Sequence, residues 1–131
     1  MGTAEAQAKS LLDGFADVTG LTEDGRERRY LWTDAFAVCT WLGLGQRDRA
    51  LELVDRVHHT LGKHRPDDER EGWISGLSDA EAEACPTAGG LRIGKPLPER
   101  GPDDPYDRRL EWERDGQYFH YLTKWMRALE R

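Results

Sequence analysis

Three side chains have the types and positions that acid–base chemistry requires: Asp34, Asp115 and His120. Asp34 follows Trp32 near the start of a strongly apolar segment, where burial would raise its pKa toward the range of a general acid or base. Asp115 precedes Gly116 at the start of a segment that also carries His120, whose imidazole can transfer protons near neutral pH. These three residues form the candidate catalytic set.

Each of the three also has an ordinary structural interpretation. Asp34 can complement the dipole at a helix start or pair with a nearby arginine such as Arg29. Asp115 can act as the N-cap of a helix, a position where Asp is strongly favoured. His120 can complete a hydrogen bond in a packed interface. The sequence leaves the catalytic and the structural interpretation open for each residue.

Helices are the elements predicted to position these residues. Apolar residues or capping patterns at helical spacing occur in five segments, near 3–18, 30–44, 47–63, 78–85 and 115–130. The segment 30–44 is apolar nearly all round and is expected to be buried on most faces. Ser78 and Glu81 form a capping-box pattern for the short helix. The stretch 65–114 holds all six prolines and is predicted to be a long loop.

Two local expectations concern the first helix. Its predicted buried face consists of the residues that recur at helical spacing, namely Ala4, Ala8, Leu11, Phe15 and Val18. After this helix, the dipeptide Asp24-Gly25 within a charged stretch predicts a turn.

The composition limits the classes of function. A chain of 131 residues, 37% hydrophobic and 34% charged, is expected to form one helical unit spanning 1–131 with a modest core. A net charge of -6 without a segregated basic face argues against nucleic acid as a partner. No apolar run approaches the roughly 20 residues that a membrane span needs. The widely separated Cys39 and Cys85 favour a reducing compartment. A soluble, cytoplasmic protein is expected.

The sequence predicts neither a metal site nor a cofactor. His58, His59 and His64 lack the spacing and carboxylate partner of patterns such as HExxH. The run from Gly89 to Lys95 matches GxxxxGK, but Pro96 stands where a phosphate-binding loop needs Ser or Thr. Nucleotide binding is therefore rejected. Arg92 or Lys95 reaching a ligand from this loop is an alternative to simple solvent exposure.

Three segments carry a family resemblance: RRYLWTDAFAVCTWLGL, GGLRIGKPLPER and WERDGQYFHYLTKWMRAL. Together they resemble the opening third of six-hairpin, (α/α)6-barrel proteins akin to glycoside hydrolases and sugar epimerases. The resemblance implies an all-α fold of antiparallel helical hairpins forming part of an (α/α)6 toroid, with the segment 30–44 in its inner ring. A complete barrel has about twelve helices. At about 11 to 12 residues per helix plus connections, it needs more residues than this chain has. We therefore expect an incomplete barrel that is inactive alone, either a fragment or a degenerate member of this family.

The resemblance also implies a carbohydrate ligand and hydrolase-like or epimerase-like chemistry in the complete barrel. Asp34 and Asp115 are then the pair of carboxylates that would flank a glycosidic bond. Aromatic faces suit the apolar C–H groups of sugar rings. The candidate substrate-binding residues are Arg29, Trp32, Trp73, Trp112 and Tyr118. The alternative is a small helical interaction or dimerisation module that uses exposed Trp and Leu faces. Self-association is also expected of an incomplete toroid, through the exposed faces of its inner helices.

Overall fold

The computed structural model describes residues 3–21 and 27–131, and within these ranges the regular secondary structure is entirely α-helical. The helices are α1 (Thr3–Val18), α2 (Leu31–Gly43), α3 (Arg47–Leu61), α4 (Asp79–Ala84), α5 (Arg108–Trp112) and α6 (Phe119–Glu130). The predicted all-α class is therefore confirmed. The predicted turn at Asp24-Gly25 lies outside the described residues.

Helix α2 lies at the centre of the fold. Helices α3 and α6 pack against it, and α1 makes a smaller contact. Leu31, Ala35, Val38 and Trp41 are at most 3% exposed. Because neighbours cover the helix from several sides, apolar residues are needed around most of its circumference. Phe36 is the exception, with 55% of its surface exposed.

Helices α3 and α6 supply the rest of the central core. Leu53 and Val57 of α3 and Trp125 of α6 are almost completely buried. The indole N–H of Trp125 donates a 3.0 Å hydrogen bond to Nε2 of His58. Burial lowers the pKa of His58, which keeps its ring neutral and able to accept this bond. The two helices are thus joined by packing and by one oriented hydrogen bond.

Helix α1 buries the predicted face only in part. Leu12, Phe15 and Ala16 contact the core, whereas Leu11 and Val18 are 70% and 78% exposed. Directly after α1, the N–H of Leu21 donates to the carbonyl of Ala16. The contact with α2 covers a face centred on Leu12, Phe15 and Ala16, so the apolar stripe alone was not a sufficient guide.

Backbone hydrogen bonds order the long segment between α3 and α6. The N–H of Ile74 donates to the carbonyl of Gly62, and the N–H of Arg92 donates to the carbonyl of Leu61. Isolated bridges pair Lys63 with Trp73 and Leu97 with Arg114. The predicted short helix is present as α4, and the Ser78 hydroxyl accepts the N–H of Glu81 at 3.3 Å as an N-cap.

Two features of this segment differ from the sequence prediction. Helix α5 lies inside the predicted loop, where the carboxylate of Asp107 caps it by accepting the N–H of Arg109 at 2.9 Å. Helix α6 begins at Phe119 and not at Asp115. The backbone before Phe119 stays outside the helix, because Gly116 has a φ of +151° and the N–H of Asp115 is held by the carbonyl of Leu97 across the loop.

The first turns of α2 and α6 lie side by side. The N–H of Leu31 donates to the carbonyl of Ile93, and the N–H of Ile93 donates to the carbonyl of Gly116, just before α6. The hydroxyl groups of Tyr30 and Tyr121 share a hydrogen bond of 2.5 Å. Both candidate carboxylates and most candidate aromatic residues are therefore near one end of the helix pair.

None of the helices in the described ranges is long and apolar enough to cross a bilayer.

Candidate functional site

Asp34 lies in the first turn of α2 and is completely buried. Its Oδ2 accepts a 3.1 Å hydrogen bond from the N–H of the N-cap residue Tyr30. Its Oδ1 lies 3.8 Å from Nη1 of Arg29, close enough for an ion pair but too far for a hydrogen bond. Within the described ranges, Asp34 Oδ1 and Arg29 Nη1 are both buried without a hydrogen-bond partner.

Burial raises the pKa of Asp34 to about 7, and the charge of Arg29 and the hydrogen bond from Tyr30 lower it only in part. One hydrogen bond and one long ion pair do not replace the hydration that a carboxylate loses on burial. The predicted effect of burial on this pKa is therefore present. The carboxyl group itself has no exposed surface through which it could reach a ligand.

Asp115 is also buried, but its carboxylate accepts four hydrogen bonds. Oδ2 accepts from Nη1 of Arg65 and from Nη1 of Arg92, each at 2.9 Å. Oδ1 accepts from the backbone N–H groups of Gly94 at 2.8 Å and Gly116 at 2.9 Å. An ionised carboxylate has about four acceptor positions, so its hydrogen-bonding capacity is filled. We call these five residues the Asp115 network.

The two arginines extend the Asp115 network into neighbouring loops. Arg65 also donates to the carbonyl oxygens of Lys95 at 2.7 Å and Pro96 at 2.8 Å. Arg92 donates to the carbonyl oxygens of Lys63 and Thr60, each at 2.8 Å. One carboxylate and two guanidinium groups therefore hold the backbone on both sides of Gly94 in place.

The predicted pairing of Asp34 with Asp115 as acid and base is not formed in this structure. Asp34 is 0% and Asp115 is 2% exposed. Asp115 borders a cleft with His64 and Arg70, but Asp34 is not among the residues that line it. The N-cap interpretation of Asp115 is also wrong, because Tyr118 is the N-cap of α6. Both carboxylates instead fix the backbone that leads into α2 and α6.

Aromatic rings gather where α2 and α6 begin. Tyr121 is at their centre, with ring centroids at 5.7 Å from Tyr30, 5.3 Å from Trp32, 5.9 Å from Tyr118 and 4.8 Å from His120. Burial and the hydrogen bond with Tyr30 raise the pKa of Tyr121 to about 12, so its phenol stays protonated near neutral pH. His120 contacts the edge of Trp32 and is itself exposed.

A cleft of about 160 Å³ opens beside these rings, and we call it the aromatic cleft. Its aromatic walls are Trp112, Tyr118, His120 and Tyr121, its apolar floor is Ile93, and its charged groups are Lys95, Glu111 and Arg114. Trp112 is 74% exposed and Tyr118 is 38% exposed. Three residues predicted from the sequence, Trp112, Tyr118 and His120, are thus brought together.

Three other predicted binding residues lie elsewhere. Trp73 is only 3% exposed, and its indole N–H donates to Asp79 at 3.1 Å, so its ring belongs to the interior. Arg29 is buried against Asp34 and also donates to the carbonyl of Thr19. Trp32 is half-buried and supports the aromatic cleft from behind without lining it.

The structure also gives contacts to three residues outside the predicted catalytic and substrate-binding sets, Tyr121, Arg65 and Arg92, of which Arg92 was predicted only as a residue that could reach a ligand from its loop. Tyr121 follows His120 directly, so its place on the same predicted helix was an available signal. Arg65 and Arg92 are 50 and 23 residues from Asp115 in the chain, and no local pattern links them to it. Among the described residues, no group of three or more His, Cys, Asp or Glu side chains is placed to hold a metal ion.

Comparison with known proteins adds nothing to this geometry. No family model, no curated protein and no solved structure matches the chain. The functional interpretation therefore rests on the residues and their arrangement.

Proposed function

We propose that this chain binds carbohydrate in the aromatic cleft, as part of an (α/α)6-type toroid in which α2 and α6 are neighbouring inner helices. The observation that carries the proposal is the exposed set of rings at the shared N-terminal end of these two helices. Trp112 and Tyr118 offer accessible ring faces, and His120 offers a polar edge beside them. Such a combination suits a sugar, which has apolar C–H faces and a polar rim.

The size and the polar groups of the cleft support a small ligand. Its volume of about 160 Å³ is below the roughly 300–1,000 Å³ of ordinary ligand pockets, so one monosaccharide-sized group fits better than an extended chain. Lys95, Glu111 and Arg114 supply charged donors and an acceptor within the same walls. Few convergent polar groups within aromatic walls are typical of ligand sites.

The exposed flank of α6 supports the toroid. Phe119, Met126 and Leu129 are 79%, 57% and 45% exposed, although they lie on the same helix as the buried Trp125. In a toroid, the next helix pair would cover such a flank. We infer that the chain is a fragment or a degenerate member of a carbohydrate-active six-hairpin protein. Hydrolase-like or epimerase-like activity would belong to the complete barrel.

Sugar binding tests this proposal directly. We expect saturable shifts of side-chain and backbone NMR signals on titration with a panel of monosaccharides, and we expect Trp112→Ala to weaken binding about three- to tenfold. Tyr106→Ala is the matched control, because Tyr106 is 67% exposed on the same loop but does not line the cleft. Absence of binding to every sugar, or equal losses in both variants, would contradict the proposal.

The alternative proposal is self-association through the flank of α6, as expected of a helical interaction module. The exposed Phe119, Met126 and Leu129 favour it as well. Sedimentation separates the two proposals when it is combined with Met126→Glu. A dimer that this substitution converts to a monomer, without sugar binding in either form, would favour the interaction module. A sugar-binding monomer would favour the carbohydrate proposal.

A further inference from the structure

Lys95 occupies an unusual position at the rim of the aromatic cleft. Its ammonium nitrogen lies 5.2 Å from the ring centroid of Tyr30 and 5.0 Å from that of Trp112. Both distances are within the range of cation–π attraction. Its backbone is fixed too, because its carbonyl accepts from Arg65 and the preceding Gly94 donates to Asp115. The charge is thus held between two rings by a rigid loop.

The N–H donors of this ammonium group are unused. A lysine ammonium has three donors and no acceptor. No hydrogen bond or salt bridge joins the Lys95 side chain to any other residue in 3–21 or 27–131. Ring faces attract the charge but leave the N–H donors available to an acceptor from outside. Lys95 is therefore preorganised to receive a hydrogen-bond acceptor.

The charges around Lys95 favour an anion. The single carboxylate of the cleft, Glu111, is engaged by Arg100 at 2.6 Å and lies 3.6 Å from Nε of Arg114. Nε of Arg114 is buried and has no hydrogen-bond partner among the residues described. Lys95 and Arg114 therefore line the cleft beside one carboxylate, and Arg100 pairs with that carboxylate from outside the cleft, although the whole chain carries a net charge of -6. An excess of positive charge in the cleft favours a negatively charged ligand group electrostatically.

We propose that the ligand of the aromatic cleft is an acidic sugar, whose carboxylate or phosphate accepts hydrogen bonds from Lys95 while its ring packs on Trp112 and Tyr118. This inference rests on the proposed carbohydrate function and specifies its ligand class. Charge-assisted hydrogen bonds are about twice as strong as neutral ones, so the acidic group should dominate selectivity.

Titrations with glucose, glucuronate and glucose 6-phosphate at one ionic strength test the proposal. At least one acidic sugar should bind about tenfold or more tightly than glucose, and which one it is distinguishes a carboxylate site from a phosphate site. Lys95→Met should remove this preference, and Lys95→Arg should retain most of it. Lys63→Met is the control, because Lys63 also lies 5.0 Å from a ring centroid, that of the interior Trp73.

The outcomes distinguish the acidic-ligand proposal from the carbohydrate proposal on which it rests. Equal affinity for glucose and both acidic sugars, unchanged by Lys95→Met, would overturn the acidic ligand and leave carbohydrate binding intact. Acetate or inorganic phosphate binding as tightly as the acidic sugars would also overturn it, because the sugar ring would then contribute nothing. Failure of every sugar to bind would refute the proposed function itself.

Discussion

The two buried carboxylates, Asp34 and Asp115, differ in how many hydrogen-bond donors surround them. Both lie beside an arginine and precede or begin a central helix. Asp115 accepts four hydrogen bonds, whereas Asp34 accepts a single one from Tyr30. Burial consequently raises the pKa of Asp34 to about 7. Two of the four donors to Asp115 are guanidinium groups at 2.9 Å, whereas the guanidinium beside Asp34 lies 3.8 Å away, so a buried carboxylate is accommodated where close, aligned donors replace its hydration.

The source of the donors explains this difference. A helix start leaves its first backbone N–H groups free, but Asp34 receives only that of Tyr30, and the next N–H, that of Leu31, donates to the carbonyl of Ile93. The loop around Asp115 offers two backbone N–H groups and two guanidinium groups from distant parts of the chain. Gly94 lies between the two regions: its N–H binds Asp115, and its Cα lies against the carbonyl of Arg29.

The largest expected effect comes from removing the charge of the Asp115 network. Asp115→Ala should lower the free energy of unfolding by about 3 to 5 kcal/mol, because Arg65 and Arg92 would lose their buried partner. Urea denaturation measures the change. Asp67→Ala is the control: it also removes a carboxylate bound to Arg65, but Asp67 is 54% exposed and should contribute about 1 kcal/mol or less. Similar losses in both variants would contradict the account.

Asp34→Asn tests the surroundings of Asp34 through the pH dependence of the free energy of unfolding. The folded pKa of about 7 is above the ordinary 3.8, so between these values the folded chain binds a proton that the unfolded chain has released. The contribution of Asp34 to stability therefore falls as pH rises from 4 to 7. The free energy of unfolding of the unsubstituted chain minus that of Asp34→Asn should fall by on the order of 2 to 4 kcal/mol across this window.

This difference isolates Asp34 from the other titrating groups. His58 and His59 titrate in both chains, and their contributions cancel when the two unfolding curves are subtracted. A difference that is constant between pH 4 and pH 8 would mean that the folded pKa of Asp34 is ordinary and that the contrast with Asp115 is absent.

Gly94→Ala should disturb both regions at once. Gly94 has φ of +93°, and an added Cβ would lie 2.1 Å from the carbonyl oxygen of Arg29. We expect a loss of about 2 kcal/mol or more in thermal or urea unfolding. Gly45→Ala is the matched control, since Gly45 has φ of +75° but open space around the added Cβ. Gly45→Ala should lower the free energy of unfolding only by the cost of a non-glycine residue at positive φ, about 1 kcal/mol.

The smallest expected effect comes from Glu27→Gln. The negative charge of Glu27 contributes to raising the pKa of Asp34, so its removal should lower that pKa. Carboxyl-detected NMR titration measures the midpoint of Asp34. The stability of the fold should change by about 1 kcal/mol or less, because Gln keeps the size of Glu27 and the two ion pairs lost are part-exposed, with Arg56, or long, at 3.7 Å from Arg29. A midpoint that rises or stays fixed would contradict this description of the site.

The sequence predicted the long helices well because their periodic patterns are local. The segments that became α1, α2 and α3 were located within a few residues of their observed bounds. The start of α6 was missed because contacts of Asp115 and Gly116 with distant loops hold that backbone outside the helix. The buried face of α1 was predicted only in part, because its contact with α2, and not the apolar spacing within α1, decides which residues are covered.

The residues of the aromatic cleft were predicted less completely than the helices, because contacts between distant parts of the chain bring them together. Trp112, Tyr118 and His120 could be proposed from residue type, since exposed aromatic and imidazole groups suit ligands. Their gathering around Lys95 depends on the folded loop, and so does the removal of Trp73 to the interior. The sequence placed Asp34 and Asp115 near the starts of two helices, but their arginine and backbone partners depend on contacts between distant parts of the chain.

The central claim is that ligand binding occurs at the aromatic cleft and not at the buried carboxylates. The most direct measurement is NMR mapping of the chain during titration with glucuronate and glucose 6-phosphate. The account predicts that the largest shifts occur at the Trp112 indole, Tyr118, His120 and the residues around Lys95, with small changes near Asp34. Shifts centred on the cleft of His64, Arg70 and Asp115, or no shifts with either sugar, would contradict it.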